Sequence, residues 1–169
     1  MKIIEGMKKI KDLQRKVSDL QSKIKIHCAY LDFEGETYEN QKGKVLSWVQ
    51  SCEDSIQEIA KLRVAIQKTN ISTDVSIELG GVVVTKTVAE WIHRRRDLAN
   101  LAKGTWNCLT DKKLPSGPVN LTSGEVRQVK PVLCFDLEER DRKLEVYSSE
   151  PYLIDSKLEV INAITDLIE

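Results

Sequence analysis

Aromatic residues make up 5% of this 169-residue chain, histidine occurs twice, and no two cysteines stand at CxxC spacing. Each scarcity closes off a chemistry. His27 and His93 are placed by no motif, so no Ser-His-Asp or Cys-His arrangement can be assembled. The soft metal donors His27, Cys28, His93, Cys108 and Cys134 lack the close, regularly spaced pair that zinc sites carry. Adjacent His27 and Cys28 would point in different directions on a helix. No catalytic residue, metal or cofactor is therefore expected. Cys28, Cys52, Cys108 and Cys134 read as reduced thiols, several of them facing the core.

Long apolar runs are missing too. None approaches the roughly 20 residues of a membrane span, and charge is spread through Met1 to Asp12 where a secretory signal would be apolar. These absences place the protein in the cytoplasm with no membrane partner. Asn70 and Asn120, which fit the glycosylation pattern, then carry no such meaning. Lys plus Arg equals Asp plus Glu at 26 each, and a net charge of zero weighs against a dedicated nucleic-acid binder. Gly80-Gly81 lacks the spacing of a phosphate loop.

What the chain does have is charge, at 31%, and two long stretches of heptad-spaced apolar residues. In the first, Ile3, Ile10, Leu13, Val17, Leu20 and Ile24 keep phase; in the second, Val45, Val49, Cys52, Ile56, Ile59 and Ile66 do so. Each stretch predicts a long helix with one apolar seam, over about 2–27 and 40–68. The polar segment 32–40, with Gly35, predicts a connecting loop, so the pair forms an antiparallel hairpin.

The period then shortens to two. Val75, Ile77 and Leu79, then Gly80-Gly81, then Val82 to Val84 predict a two-stranded hairpin. Thr87 and Glu90 stand at capping-box spacing and open a third helix to about Leu109. Val88, Trp91 or Ile92, Leu98 and Ala102 should face inward. Residues 110–125 predict a long loop, and 126–135 a third strand that could pair with the hairpin, with Pro131 favouring an edge or bulge. A last helix is predicted over 136–168. Leu137, Leu144, Tyr147, Ile154, Leu158, Ile161 and Ile168 hold its phase, and Pro151 kinks it. Residues 1–26 carry a net charge of +5 and residues 135–169 one of −6, which suggests that the first and last helices lie side by side, within one chain or between copies.

Ile66-Gln-Lys-Thr-Asn70, Arg95-Arg96-Asp97-Leu98 and the segment Leu153-Ile154-Asp155 with Leu158-Glu159, Asn162, Thr165 and Leu167 carry a resemblance over most of the chain. It is to an uncharacterised bacterial family sometimes labelled septicolysin. The label names a pore-forming toxin; the family resemblance itself implies a helical bundle with a small β element and no known activity. Ala163 stands where the family usually has Trp.

Two groups of residues are candidate sites. Arg94, Arg95, Arg96 and Asp97 form the densest charged cluster and suit an anion or ion-pair site. Consecutive helical residues point about 100° apart, so the plainer reading is that Arg95 or Arg96 pairs with an inner carboxylate while the others are solvated. Asn70 and Asn162 read as residues that cap helix ends or set register.

The fold expected is mainly α: an elongated antiparallel helical bundle or coiled-coil hairpin, a single domain over 1–169. A small β-hairpin of two or three strands around 74–85 is inserted between helices two and three. The function expected is non-enzymatic: a homo-oligomeric helical scaffold, preferably a dimer, or a module for another protein partner. One alternative is nucleic-acid binding by the basic first helix and Arg94 to Arg96. Another is a small-molecule or enzymatic site near the hairpin and helix three.

Overall fold

The structure, a computed structural model, describes residues 1–168. It is mainly helical with two small antiparallel sheets of two strands each. In order the elements are α1 (Ile3–His27), α2 (Gln41–Ser72), β1 (Asp74–Leu79), β2 (Val82–Thr87) and α3 (Val88–His93). A π-helical turn (Arg94–Leu98) leads into α4 (Ala99–Asn107), followed by β3 (Gly117–Asn120), β4 (Val126–Val129) and α5 (Leu137–Ile164). The chain divides into two compact units, the first comprising 1–74, 87–89 and 158–169, the second 75–86 and 90–157.

The first unit is built on α1 and α2. Ile10, Leu13, Val17, Leu20 and Ile24 are half-buried on α1, and Ile3 is fully buried, so that seam is as the spacing predicts. Cys52 Sγ lies 4.0 Å from the Val17 carbonyl, Lys9 pairs with Glu58, and Gln41 reaches the His27 carbonyl. Numbers fall along one helix as they rise along the other, so the two run antiparallel.

The α2 seam differs from expectation. Its buried positions are Gln41, Trp48, Cys52, Ser55, Ile59 and Thr69, with Val45, Leu62 and Ile66 half-buried between them. Val49 is 36% exposed and Ile56 52%. Apolar character alone favours Val49 and Ile56, but contact with α1 selects the stripe one residue earlier, where Trp48 supplies a large ring. Ser55 is tolerated there because its hydroxyl donates to the Ser51 carbonyl at 2.7 Å.

Two polar clasps close this unit. At the turn, the buried Gln41 amide donates to the His27 carbonyl and accepts from the Thr37 N–H, both at 2.8 Å. It thereby satisfies a terminal carbonyl of α1 and a loop donor together. His27, Tyr38 and Trp48 stack edge-on beside it. Asn40, at φ 51°, caps α2 through Gly43.

At the far end the chain terminus returns to α1. The predicted last helix extends to Ile168, but α5 stops at Ile164, and the following residues form an extended segment. Lys2 bridges Asp166, and the Ile3 N–H bonds Thr165. Thr69, fully buried, donates to the Ala65 carbonyl and accepts the Ile168 N–H at 2.9 Å. These contacts give the last residues backbone partners outside the helix. The positive start of the chain therefore meets the acidic end through Lys2 and Asp166, while the helix packed along α1 is α2.

In the second unit, β1 alternates as predicted, with Val75 and Ile77 buried. Gly80 and Gly81 both have positive φ, 58° and 81°, which the two-residue turn requires. The strands run further than 74–85, because β2 passes into α3 at Thr87 with no loop between. The predicted strand 126–135 ends at Val129, ahead of Pro131. Its partner is β3, inside the segment expected to be a loop, with Gly117 opposite Val129 and Asn120 opposite Val126. Gly124, at φ 82°, makes that turn possible. The two hairpins belong to separate sheets. α5 runs unbroken through Pro151. All four cysteines are free, but only Cys52 is buried; Cys28, Cys108 and Cys134 are exposed, contrary to the expectation that several face the core.

Gln41→Ala strips partners from a buried carbonyl and a loop N–H, and should cost about 1–3 kcal/mol in urea unfolding. The hydrogen bond from Lys2 holds the exposed Asp166 carboxyl below its ordinary value, with the Lys2 charge adding to it. A depressed carboxylate stabilises the fold above its unfolded pKa, and that stability is lost as pH falls through the folded value. Asp166→Asn should therefore melt below the parent at neutral pH. The gap should close as pH drops through and below the ordinary carboxylate range, read by thermal melts across pH.

Candidate functional site

The third helix expected from sequence is three pieces, α3, a π turn and α4. The Ala99 N–H bonds the Arg94 carbonyl five residues back, which is the π pattern. This wider turn resets the phase of the helix. Leu98 lies about two α-helical turns after Trp91 and would share its face in a regular helix. With a residue taken up by the wide turn, Ala99 is inward at 1% exposure and Leu98 is 45% exposed. Val88 and Trp91 are fully buried as predicted, and Ile92 faces outward.

The same turn fans out the arginine cluster. Arg94 turns inward, donating through Nε to Glu150 Oε1 at 2.5 Å and through Nη2 to Oε2 at 3.0 Å. Glu150 is 1% exposed. The Arg94 guanidinium sits over the Tyr147 ring at 5.4 Å and also donates weakly to the Leu98 carbonyl. The hydrogen bond with Glu150 raises the Arg94 pKa against the opposing effect of burial. Arg95 pairs with the exposed Asp155 at 2.8 Å, which raises its pKa as well. Arg96 stays on the surface with Asp97 and the His93 Nδ1. The plainer sequence reading assigned the inner carboxylate to Arg95 or Arg96; in the structure the buried Glu150 meets Arg94, and Arg95 meets the exposed Asp155 on the same helix.

A groove of about 540 Å³ opens beside this pair. Leu79, Val84 and Lys86 of the first hairpin form one wall, Trp91 and Leu98 the second, and Tyr147 of α5 the third. The Trp91 indole N–H donates to the Val75 carbonyl at 2.9 Å, which fixes its ring. Gly80 brings the hairpin turn so close to α5 that a Cβ there would stand 2.6 Å from Val146 Cγ2. Lys86, Trp91, Tyr147 and Glu150 escaped the sequence reading, since they are far apart in the chain and share no motif. Pro151 beside Glu150 was the available hint, as a helical proline marks a local irregularity.

The two asparagines are not brought together as one site by any contact between them. Asn70 lies within the last turn of α2, which continues to Ser72, so it is not the end cap expected. Its Oδ1 is buried and accepts no hydrogen bond from the described residues. Asn162 is half-buried in the last turn of α5. Among the described residues no three His, Cys, Asp or Glu side chains gather as metal ligands.

No protein-family model matches the chain, and no curated protein matches it in sequence. Among solved structures, the crystal structure of a functionally unknown conserved protein from Corynebacterium diphtheriae is similar, with a TM-score of 0.57 and 20% identity over 99% of both chains. At that identity the likeness establishes a shared fold and nothing about activity.

Arg94→Met leaves the Glu150 carboxylate buried without its partner and should cost about 3–5 kcal/mol. Arg94→Met combined with Glu150→Leu should recover most of that loss. A double-mutant cycle by urea denaturation measures both.

Proposed function

We propose that the protein is a non-enzymatic, homo-oligomeric helical scaffold whose α1–α2 hairpin acts as a coiled-coil arm. The observation that carries this reading is a second apolar stripe on α2. With one face spent on α1, the helix still presents Leu46, Val49, Ile56, Val64 and Ile71 at 58%, 36%, 52%, 52% and 56% exposure. They recur at near-helical spacing along one further face, and contiguous exposed apolar surface of this kind marks interaction sites. Near Ala60 and Val64 the stripe opens into a groove of about 680 Å³ with Met1 and Leu167.

The partner proposed is a second copy. If two α2 helices pack antiparallel about a two-fold axis, Leu46 of one meets Ile71 of the other. Glu53, the charge in the middle of the stripe, then falls opposite Val64, one residue from Arg63, and neither Glu53 nor Arg63 has an ion pair among the described residues of a single chain. Such self-complementarity is what a two-fold interface needs. The half-buried α1 seam fits the same picture, since a two-helix layer covers its seam from one side only.

The wider reading follows from the same chain. Three exposed free thiols suit a reducing compartment, and among the described residues no helix is long and apolar enough to cross a membrane. Cytoplasmic residence is therefore part of the proposal. So is kinship with the family sometimes labelled septicolysin, without the pore-forming activity that label names. Nucleic-acid binding by the first helix and Arg94 to Arg96 finds no support in the geometry, because Arg94 and Arg95 are spent on carboxylates.

Light scattering should give the mass of a dimer at micromolar concentration. Ile56→Glu should yield a folded monomer with unchanged helical circular dichroism. A monomeric parent, or an Ile56→Glu protein that remains dimeric, overturns the proposal.

A further inference from the structure

We propose that the groove between the first hairpin, the π turn and α5 binds a small organic carboxylate with an apolar body. Its volume of about 540 Å³ lies in the range of small-molecule sites. Leu79, Val84 and Leu98 give it apolar wall, with the fully buried Trp91 behind them.

The polar groups decide the sign of the ligand. Glu150 has both oxygens committed to Arg94, so its charge is cancelled inside the protein. Glu90, at the rim, is already engaged. Lys86 is half-buried against the groove and has no ion-pair partner among the described residues. Arg94 keeps N–H donors beyond the two that Glu150 takes, its other partners being Tyr147 and, at a long 3.4 Å, the Leu98 carbonyl. Both carboxylates of the groove are thus engaged while Lys86 is not, and a ligand carboxylate placed between Lys86 and Arg94 would match the donors that remain.

The backbone points to the same place. π turns inside helices recur at functional sites, and here the turn begins at Arg94 and brings Ala99 inward in place of Leu98. Pro151 follows Glu150 in the opposite helix and removes a backbone donor there. Both irregularities flank one groove. Glu150 acts as a positioning residue, holding the Arg94 fork in a fixed plane, and Lys86 supplies the free charge.

Naphthalene-2-carboxylate, its neutral analogue naphthalene-2-methanol, and inorganic phosphate are the probes, titrated into the intact ¹⁵N-labelled protein. The chain has three tryptophans, Trp48, Trp91 and Trp106, so three indole N–H signals can be followed. The carboxylate should move the Trp91 signal saturably and leave that of Trp48 in place. The neutral analogue should bind about tenfold more weakly, the worth of one charge-assisted hydrogen bond. Lys86→Met should weaken the carboxylate to the level of the neutral analogue without disturbing the Trp48 signal. Phosphate should fail to compete, since it has no apolar body. The inference is overturned by an unmoved Trp91 signal, by equal binding of carboxylate and alcohol, by full competition from phosphate, or by a Lys86→Met protein that binds as tightly as the parent.

Discussion

A helix that meets one neighbour buries one stripe of its surface, and α1 and α2 meet each other along nearly their whole lengths. The rest of the first unit is arranged around that contact. Ile10, Leu13, Val17, Leu20 and Ile24 are aligned with a single partner and stay half-buried. On α2 the partner chooses Trp48 and Ser55 over Val49 and Ile56, so an apolar stripe is left facing solvent. The ends of the contact carry the polar clasps, Gln41 at the turn and Thr69 at the returning terminus. Buried polar groups are stabilising only when fully paired, and both are.

The second unit turns on a different interaction. Burying a carboxylate is costly unless a cation meets it with good geometry. Glu150 is answered by a bidentate arginine, Arg94, which opens the π turn. Past it the wider turn exposes Leu98 and buries Ala99, beside the groove that Arg94 and Glu150 line.

Two kinds of surface result. One is an apolar stripe on α2, extended and repetitive, which suits another helix. The other is a concave groove with apolar wall from Leu79, Val84 and Leu98 and a localised charge at Lys86, which suits a small molecule. The similarity to a solved protein of the same length adds the fold and leaves both surfaces to be read from their own residues.

Periodicity made much of the fold legible. The α1 seam, the antiparallel pairing, the alternation of β1 and the Gly80-Gly81 turn all follow from local spacing, because each pattern repeats within a few residues. The same reasoning missed β3, whose four residues include Pro118 and whose only support is β4. It extended the last helix to Ile168, where Thr69, distant in sequence, captures the backbone instead. It expected Arg95 or Arg96 at an inner carboxylate, where Arg94 meets Glu150, since three adjacent arginines on one helix give no local reason to prefer the first. Local spacing thus determined α1, α2 and the first β-hairpin, and that α1 and α2 must cover a seam. Which stripe of α2 is covered, which arginine is buried, and that Lys86, Trp91, Tyr147 and Glu150 line one groove were decided only in three dimensions. Those choices depend on the cost of burying particular charges and rings against partners dozens of residues away.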